Sequence, residues 1–132
     1  MRASLLCLAA LCVATISTVT FAAEPLPPSE ARKKVGEEII VEMEVKAARN
    51  ALAKRGLIFL DSEEDFRDPK NFAVVLTKNA AEKLAKDGVS DPVAHFKGKN
   101  IRATGKVALD QESKIPRITI DDPKHIEIVE KK

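Results

Sequence analysis

Apolar and polar residues alternate along much of this chain. Between Glu37 and Ala47, one face collects Ile39, Val41, Met43, Val45 and Ala47, and the other Glu42, Glu44 and Lys46. A period of two over that length predicts a long, half-buried strand. The alternation returns after His95-Phe96-Lys97-Gly98-Lys99-Asn100, where Ile101, Ala103, Gly105, Val107 and Leu109 oppose Arg102, Thr104, Lys106 and Ala108. A glycine inside such a strand marks a bend, a bulge or a close backbone approach. Shorter strands are expected over Gly56 to Leu60, over Phe72 to Thr77 with Phe72, Val74 and Leu76 on one face, and over Ile115 to Asp121 with Ile118 and Ile120 inward.

The connections carry their own signals. Ser29 is placed to cap a short helix from Glu30 to Lys34, stopped by Gly36. Ala48 to Arg55 reads as a loop or a strand extension. Asp61 to Asn71, acidic and interrupted by Pro69, reads as a hairpin loop. Asn79 with Glu82 three residues on resembles a capping box, opening a helix that ends near Asp87-Gly88. Asp91-Pro92 begins a further helical turn, and Asp110 to Lys114 is a polar turn. Ile126, Ile128 and Val129 close the domain after the Asp122-Pro123 break. Three strands, a helix and two more strands predict an all-β domain with one or two short helices, closed as a five-stranded OB-fold barrel in the order β-β-β-α-β-β.

Charge and composition narrow the chemistry. The 132 residues hold 22 basic and 20 acidic side chains, a net charge of +2, with no Trp, no Tyr and five Phe. Such a balance argues against a protein held on nucleic acid by a large basic field, and few aromatics are available for base stacking. Arg2, the apolar run from Leu5 to Val19 and Thr20-Phe21-Ala22 read as a signal peptide over residues 1–22, with cleavage after Ala22 or Ala23. Leu11 stands where a lipoprotein signal needs a small residue before Cys12, which argues against lipidation. Both cysteines lie in this segment, so the expected mature chain is cysteine-free, exported to the periplasm or beyond, and free of the membrane after cleavage. Prolines 25, 27 and 28 make residues 23–28 a stiff spacer ahead of a domain over 29–130.

The arrangement resembles small secreted bacterial OB-fold domains of the kind found beside thermonuclease-like domains. The matching residues are Ser29 to Gly36, Ile58-Phe59-Leu60-Asp61, Asn71-Phe72-Ala73-Val74-Val75, Phe96 to Val107, and Ile118 to Ile126. The resemblance implies a nucleic-acid-binding type of module, by analogy with OB folds generally, and says more about fold than function. One departure is Met43-Glu44, where relatives often carry glycine in the first strand. Periplasmic stress-tolerance OB proteins are similar in size and architecture.

No catalytic constellation emerges. The arginine and carboxylate set of a thermonuclease-type site is not matched, and His95 and His125 stand thirty residues apart without metal-ligand spacing. Asp61, Glu63 and Asp65 imitate the start of a calcium loop, but Phe66 replaces its glycine and Phe72 its bidentate carboxylate. No cofactor and no metal site are therefore expected. Lys97, Lys99, Arg102, Lys106 and Arg117 form the candidate surface for single-stranded nucleic acid or another polyanion, with Phe66 the candidate stacking residue. Against this, pairing of the first and fourth strands would bring Glu42 and Glu44 near Arg102 and Lys106, and cross-strand ion pairs would consume the charge. Phe59 and Phe72 are read as core. The expectation is a non-enzymatic binding module with weak affinity for nucleic acid or a polyanion. The alternative is an envelope or stress-related module binding a protein or a small ligand.

Overall fold

The computed structural model describes residues 24–130; the signal-peptide assignment lies outside them. In chain order the elements are α1 (Pro28–Ala31), β1 (Glu38–Glu44), β2 (Ala47–Ala51), α2 (Leu52–Arg55), β3 (Leu57–Asp61), β4 (Ala73–Thr77), α3 (Lys78–Lys86), α4 (Pro92–Phe96), β5 (Asn100–Leu109), β6 (Pro116–Ile120), a 3₁₀ turn (Pro123–His125) and β7 (Ile126–Val129). The strands join in the order β2-β3-β4-β6-β5-β1, with β7 added to β5. The β4–β6 pair is parallel and the other pairs are antiparallel.

Among the described residues seven strands appear where the alternation suggests five, for two reasons. The predicted strand from Glu37 to Ala47 stops short at Val45-Lys46, and its last residue opens a separate strand that runs on into the stretch read as a loop or strand extension: β1 pairs with β5 and β2 with β3. At the division the amide of Val45 donates to Lys99 (2.9 Å), its carbonyl accepts from Gly98 (2.8 Å), and Lys46 donates to Asp61 (3.0 Å). The inward phase also slips by one residue. Met43 and Val45 are buried, yet the next side chain against the main core is Ala48 rather than Ala47. The corner forms without a glycine, from Met43-Glu44-Val45-Lys46. The second addition is β7, which pairs with Asn100–Ala103 of β5.

Ala48 to Arg55 resolves into all of β2 after its first residue and the single turn α2, closed by Gly56 in the left-handed region (φ 69°). At the N-terminus the helical turn starts earlier than predicted. Pro28, with φ set by its ring, takes the first position and Ser29 lies inside the turn. Part of the proline-rich spacer lies along the sheet: Leu26 donates to Ile40 and accepts from Glu42, both at 2.8 Å. The cap of α3 is Thr77, whose hydroxyl accepts from the Ala80 amide (3.2 Å), and not Asn79, which donates to Asp121 instead. Asp91 caps α4 by accepting from Ala94 (3.2 Å), and this turn delivers Phe96 into the core.

The core collects Phe72, Ile58, Leu60, Leu76, Ile101, Ile118 and Ile120, all fully buried; each contributes about 1.5–3 kcal/mol by burial. Along β5 the inward phase holds for Ile101, Ala103 and Val107, but Leu109 is exposed at the strand end. Gly105 sits where β5 leaves β7 and meets β6, whose Ile118 pairs with Val107. A Cβ on Gly105 would lie 2.6 Å from Ile118 Cγ2, so the close-approach meaning of this glycine applies.

Candidate functional site

The outer face of β2, β3, β4 and β6 forms the floor of a cleft of about 310 Å³. Register sets its layout. Arg49, Phe59 and Val75 are successive partners across β2, β3 and β4, and Asp61, Ala73 and Arg117 across β3, β4 and β6. The small Ala73 leaves the middle of the second row low. The loop 62–72 supplies Phe66 and Asn71 to one wall, and the turn after β5 supplies Asp110, Glu112 and Ser113 to another.

Phe59 is buried, but on this face and not in the main core. It forms a small second cluster with Ala73 and Val75. In β3 the core side chains are Ile58 and Leu60, so Phe59 takes the opposite phase. What covers it is Arg49. The guanidinium carbon of Arg49 lies over the Phe59 ring at 4.6 Å and over the Phe66 ring at 3.8 Å. Stacking of this kind contributes about 0.5–2 kcal/mol, rising with desolvation.

Asp61 lies beside this stack, 1% exposed. Its Oδ1 accepts from Asn71 Nδ2 at 3.0 Å, while Oδ2 stands 3.6 Å from Arg49 Nε and neither atom has a hydrogen-bond partner. Burial pushes the Asp61 carboxyl above its ordinary range, opposed by the Asn71 hydrogen bond and the charge of Arg49. Asn71 also organises the loop. Its Nδ2 donates to the Phe66 carbonyl (3.2 Å), and its Oδ1 accepts from Ser62 Oγ (3.3 Å) and the Glu63 amide (3.2 Å). Phe66 is therefore carried on a loop held from below.

The other two arginines have acidic neighbours at ion-pair distance: Arg55 with Glu112 (3.7 Å) and Arg117 with Asp110 (3.8 Å). Asp110 is held below its ordinary range first by the Ser113 hydroxyl, which donates at 2.6 Å, and then by the Ser113 amide. Both ion pairs are long and leave guanidinium donors available at the rim.

Of the six residues singled out from sequence, the structure brings Phe66 and Arg117 into this cleft. Arg102 lies on the β1–β5 face, where it meets Glu42 at 3.2 Å as its cross-strand partner. Lys106 is opposite Glu38 in register, and Glu44 is opposite Asn100. Lys97 and Lys99 flank Gly98 in the turn before β5. Of the five cations, Arg117 alone lines this cleft.

Sequence reasoning missed Arg49, Arg55, Asp61 and Asn71 as a set. Extending the alternation of β1 places Arg49 on the core face, so an arginine in an inward phase was the available sign of the slip at Val45-Lys46. The carboxylates of the acidic loop are engaged locally. Asp65 accepts from the Arg67 amide, Asp68 from the Lys70 amide, and Glu63 pairs with Lys46. Among the described residues, no three metal-ligating side chains converge.

No protein-family model matches the chain, and no curated protein matches it in sequence. Solved structures do resemble it. An asparaginyl-tRNA synthetase from Pyrococcus horikoshii matches 80% of this chain and 23% of its own, at 15% identity and a TM-score of 0.53. A putative aspartyl-tRNA synthetase from Leishmania major Friedlin matches 88% of this chain and 22% of its own, at 12% identity and a TM-score of 0.52. An OBody, AM1L10, in a complex with hen egg-white lysozyme matches 84% of this chain and 98% of its own, at 14% identity and a TM-score of 0.53. The chain spans under a quarter of each synthetase. At these identities the likeness shows the fold, which is OB-like.

Proposed function

We propose that this protein is an exported, non-catalytic OB-fold module that binds single-stranded nucleic acid or another polyanion weakly, through the β2-β3-β4-β6 cleft. In this reading β1 and β2 are one strand bent at Val45-Lys46, closing a five-stranded barrel to which β7 is an addition. The observation that carries the function is the grouping of three arginines with two phenylalanine rings on one open sheet face, where a strand's phosphates and bases need cations and stacking surfaces side by side. Two of the similar structures belong to enzymes named for tRNA, which supports the type of ligand. Export rests on the N-terminal pattern alone. The three carboxylates among the arginines keep the affinity low, and the arginines' contacts with phosphates make it dependent on salt.

Fluorescence anisotropy of a labelled dT oligonucleotide, titrated with the purified protein across salt concentrations, tests this. Micromolar binding at low salt that weakens steeply with added salt supports the proposal. No binding at micromolar concentration in low salt sinks it.

The balanced charge of the cleft, three arginines against Asp61, Asp110 and Glu112, favours a second reading in which an envelope or stress-related module binds a protein or small ligand. The OBody complexed with lysozyme is a structural relative with a protein ligand. That reading calls for a ligand whose binding is insensitive to oligonucleotide competition.

A further inference from the structure

The geometry points to a base-specific exchange at the Arg49 stack: we propose that a guanine base takes the place of the Arg49 guanidinium against Phe59 and Phe66. The inference rests on the nucleic-acid reading above and deepens it. Arg49 presents a flat group to both rings, at 4.6 and 3.8 Å, so the space the rings face accepts one planar layer. The present occupant fills that space but does not complete its polar edge. Asp61 is 1% exposed and lines the cleft, yet its Oδ2 accepts no hydrogen bond, and Arg49 Nε donates none. A buried carboxylate oxygen without a donor is costly and calls for one.

The occupant that meets both demands is flat and carries adjacent N–H donors, as a guanidinium does. Among the common bases guanine alone presents two neighbouring donors, N1–H and the N2 amino group, on one edge. Adenine and cytosine place a ring acceptor beside their amino donor, and thymine flanks one donor with two acceptors. Asp61 Oδ2 accepts no hydrogen bond, and Oδ1 keeps a lone pair after accepting from Asn71. A stacked guanine therefore donates to the same carboxylate that Arg49 now faces. Arg49, 39% exposed on a flexible stem, is released to the strand's phosphates, where a guanidinium forms bidentate pairs. Nucleic acid would exchange one planar donor for another, and the arginine would move from a buried anion to one on the ligand. Phe66, exposed and carried on the loop that Asn71 anchors, is the wall that yields.

Anisotropy titrations with dT strands of one length test this, each carrying a single central guanine, inosine, adenine or no substitution. Guanine should bind about tenfold more tightly than adenine or thymine, as a bidentate contact to a base edge does, and inosine, with N1–H but no amino group, should fall between. Phe66→Ala, at an exposed position, should weaken binding to every strand and erase the preference among them. Equal affinity across the four strands, or a preference unchanged in Phe66→Ala, overturns the exchange and leaves the polyanion reading standing. Absence of binding to every strand overturns both.

Discussion

Arg49 Nε and Asp61 Oδ2 stand 3.6 Å apart, close enough for charge to hold them and too far for a hydrogen bond. The two residues come from neighbouring strands, and only the corner at Val45-Lys46 puts Arg49 on the face that Asp61 shares. Removing one partner strands the other in a poorly solvated place. Arg49→Met is expected to lower unfolding free energy by about 3 kcal/mol, the lower end for a broken buried pair because Arg49 is partly exposed. The double variant Arg49→Met/Asp61→Leu should lose less than Arg49→Met alone. Urea denaturation of the native chain and the two variants decides it, and a double variant that loses as much as Arg49→Met or more contradicts the pairing.

The same carboxyl imposes a pH dependence of defined sign. Burial raises the Asp61 pKa in the folded protein above its ordinary 3.8, so the folded state holds that proton more tightly than the unfolded state. Stability from this group is present below 3.8 and is lost as pH rises through the folded value. Asp110, Asp121 and Asp122 are shifted downward and act in the opposite sense, but they are common to both proteins compared. The stability of the native chain relative to Asp61→Asn should therefore fall as pH is raised from about 3.8 towards neutrality. Urea midpoints at half-unit pH steps give the curve; a flat or rising difference is the contrary result.

The Asn71 side chain makes four hydrogen bonds from a site 1% exposed, to Asp61, Ser62, Glu63 and Phe66. Asn71→Ala leaves those partners unmatched and should cost about 2–3 kcal/mol. Because the Phe66 carbonyl loses its anchor, amide exchange across residues 62–70 should speed up more than in β3 or β4. Exchange that accelerates uniformly would mean the loop is held by other contacts.

Gly105→Ala places a methyl 2.6 Å from Ile118 Cγ2, a branched side chain with no freedom to swing away. The expected loss is about 1–3 kcal/mol, and Gly105→Val should exceed it. A neutral or stabilising Gly105→Ala, measured by thermal unfolding, would show that β5 and β6 separate without cost there.

Oligonucleotide affinity separates the two groups of cations. Arg55→Ala and Arg117→Ala, at the cleft rim, should each reduce the slope of log affinity against log salt by about one. Arg102→Ala should leave the slope unchanged, since Arg102 meets Glu42 on the β1–β5 face. Its stability cost should stay below about 1 kcal/mol, as for an exposed ion pair. Equal effects at Arg102 and Arg117 would return the interface to the outward strand faces read from sequence.

What the sequence by itself determined is the set of locally coded features. Alternation located β1, β4, β5 and β6, because a strand buried on one side must repeat every two residues. Proline and aspartate located α4, because Asp91 and Pro92 satisfy a helix start within a few residues. The cross-strand meeting of Glu42 and Arg102 also followed from strand pairing. Only the tertiary structure decided the composition of the cleft. A one-residue slip at Val45-Lys46 reverses the facing of everything after it in β2, and no local signal other than Arg49 itself records the slip. The all-apolar run Leu57-Ile58-Phe59-Leu60 has no polar phase to show which side chains face in, so a reading by alternation puts Phe59 in the core phase that Ile58 and Leu60 occupy. Asp61 and Phe66 meet through the buried amide of Asn71 within one loop, and Arg117 joins them only through register across β3, β4 and β6, from a strand far along the chain.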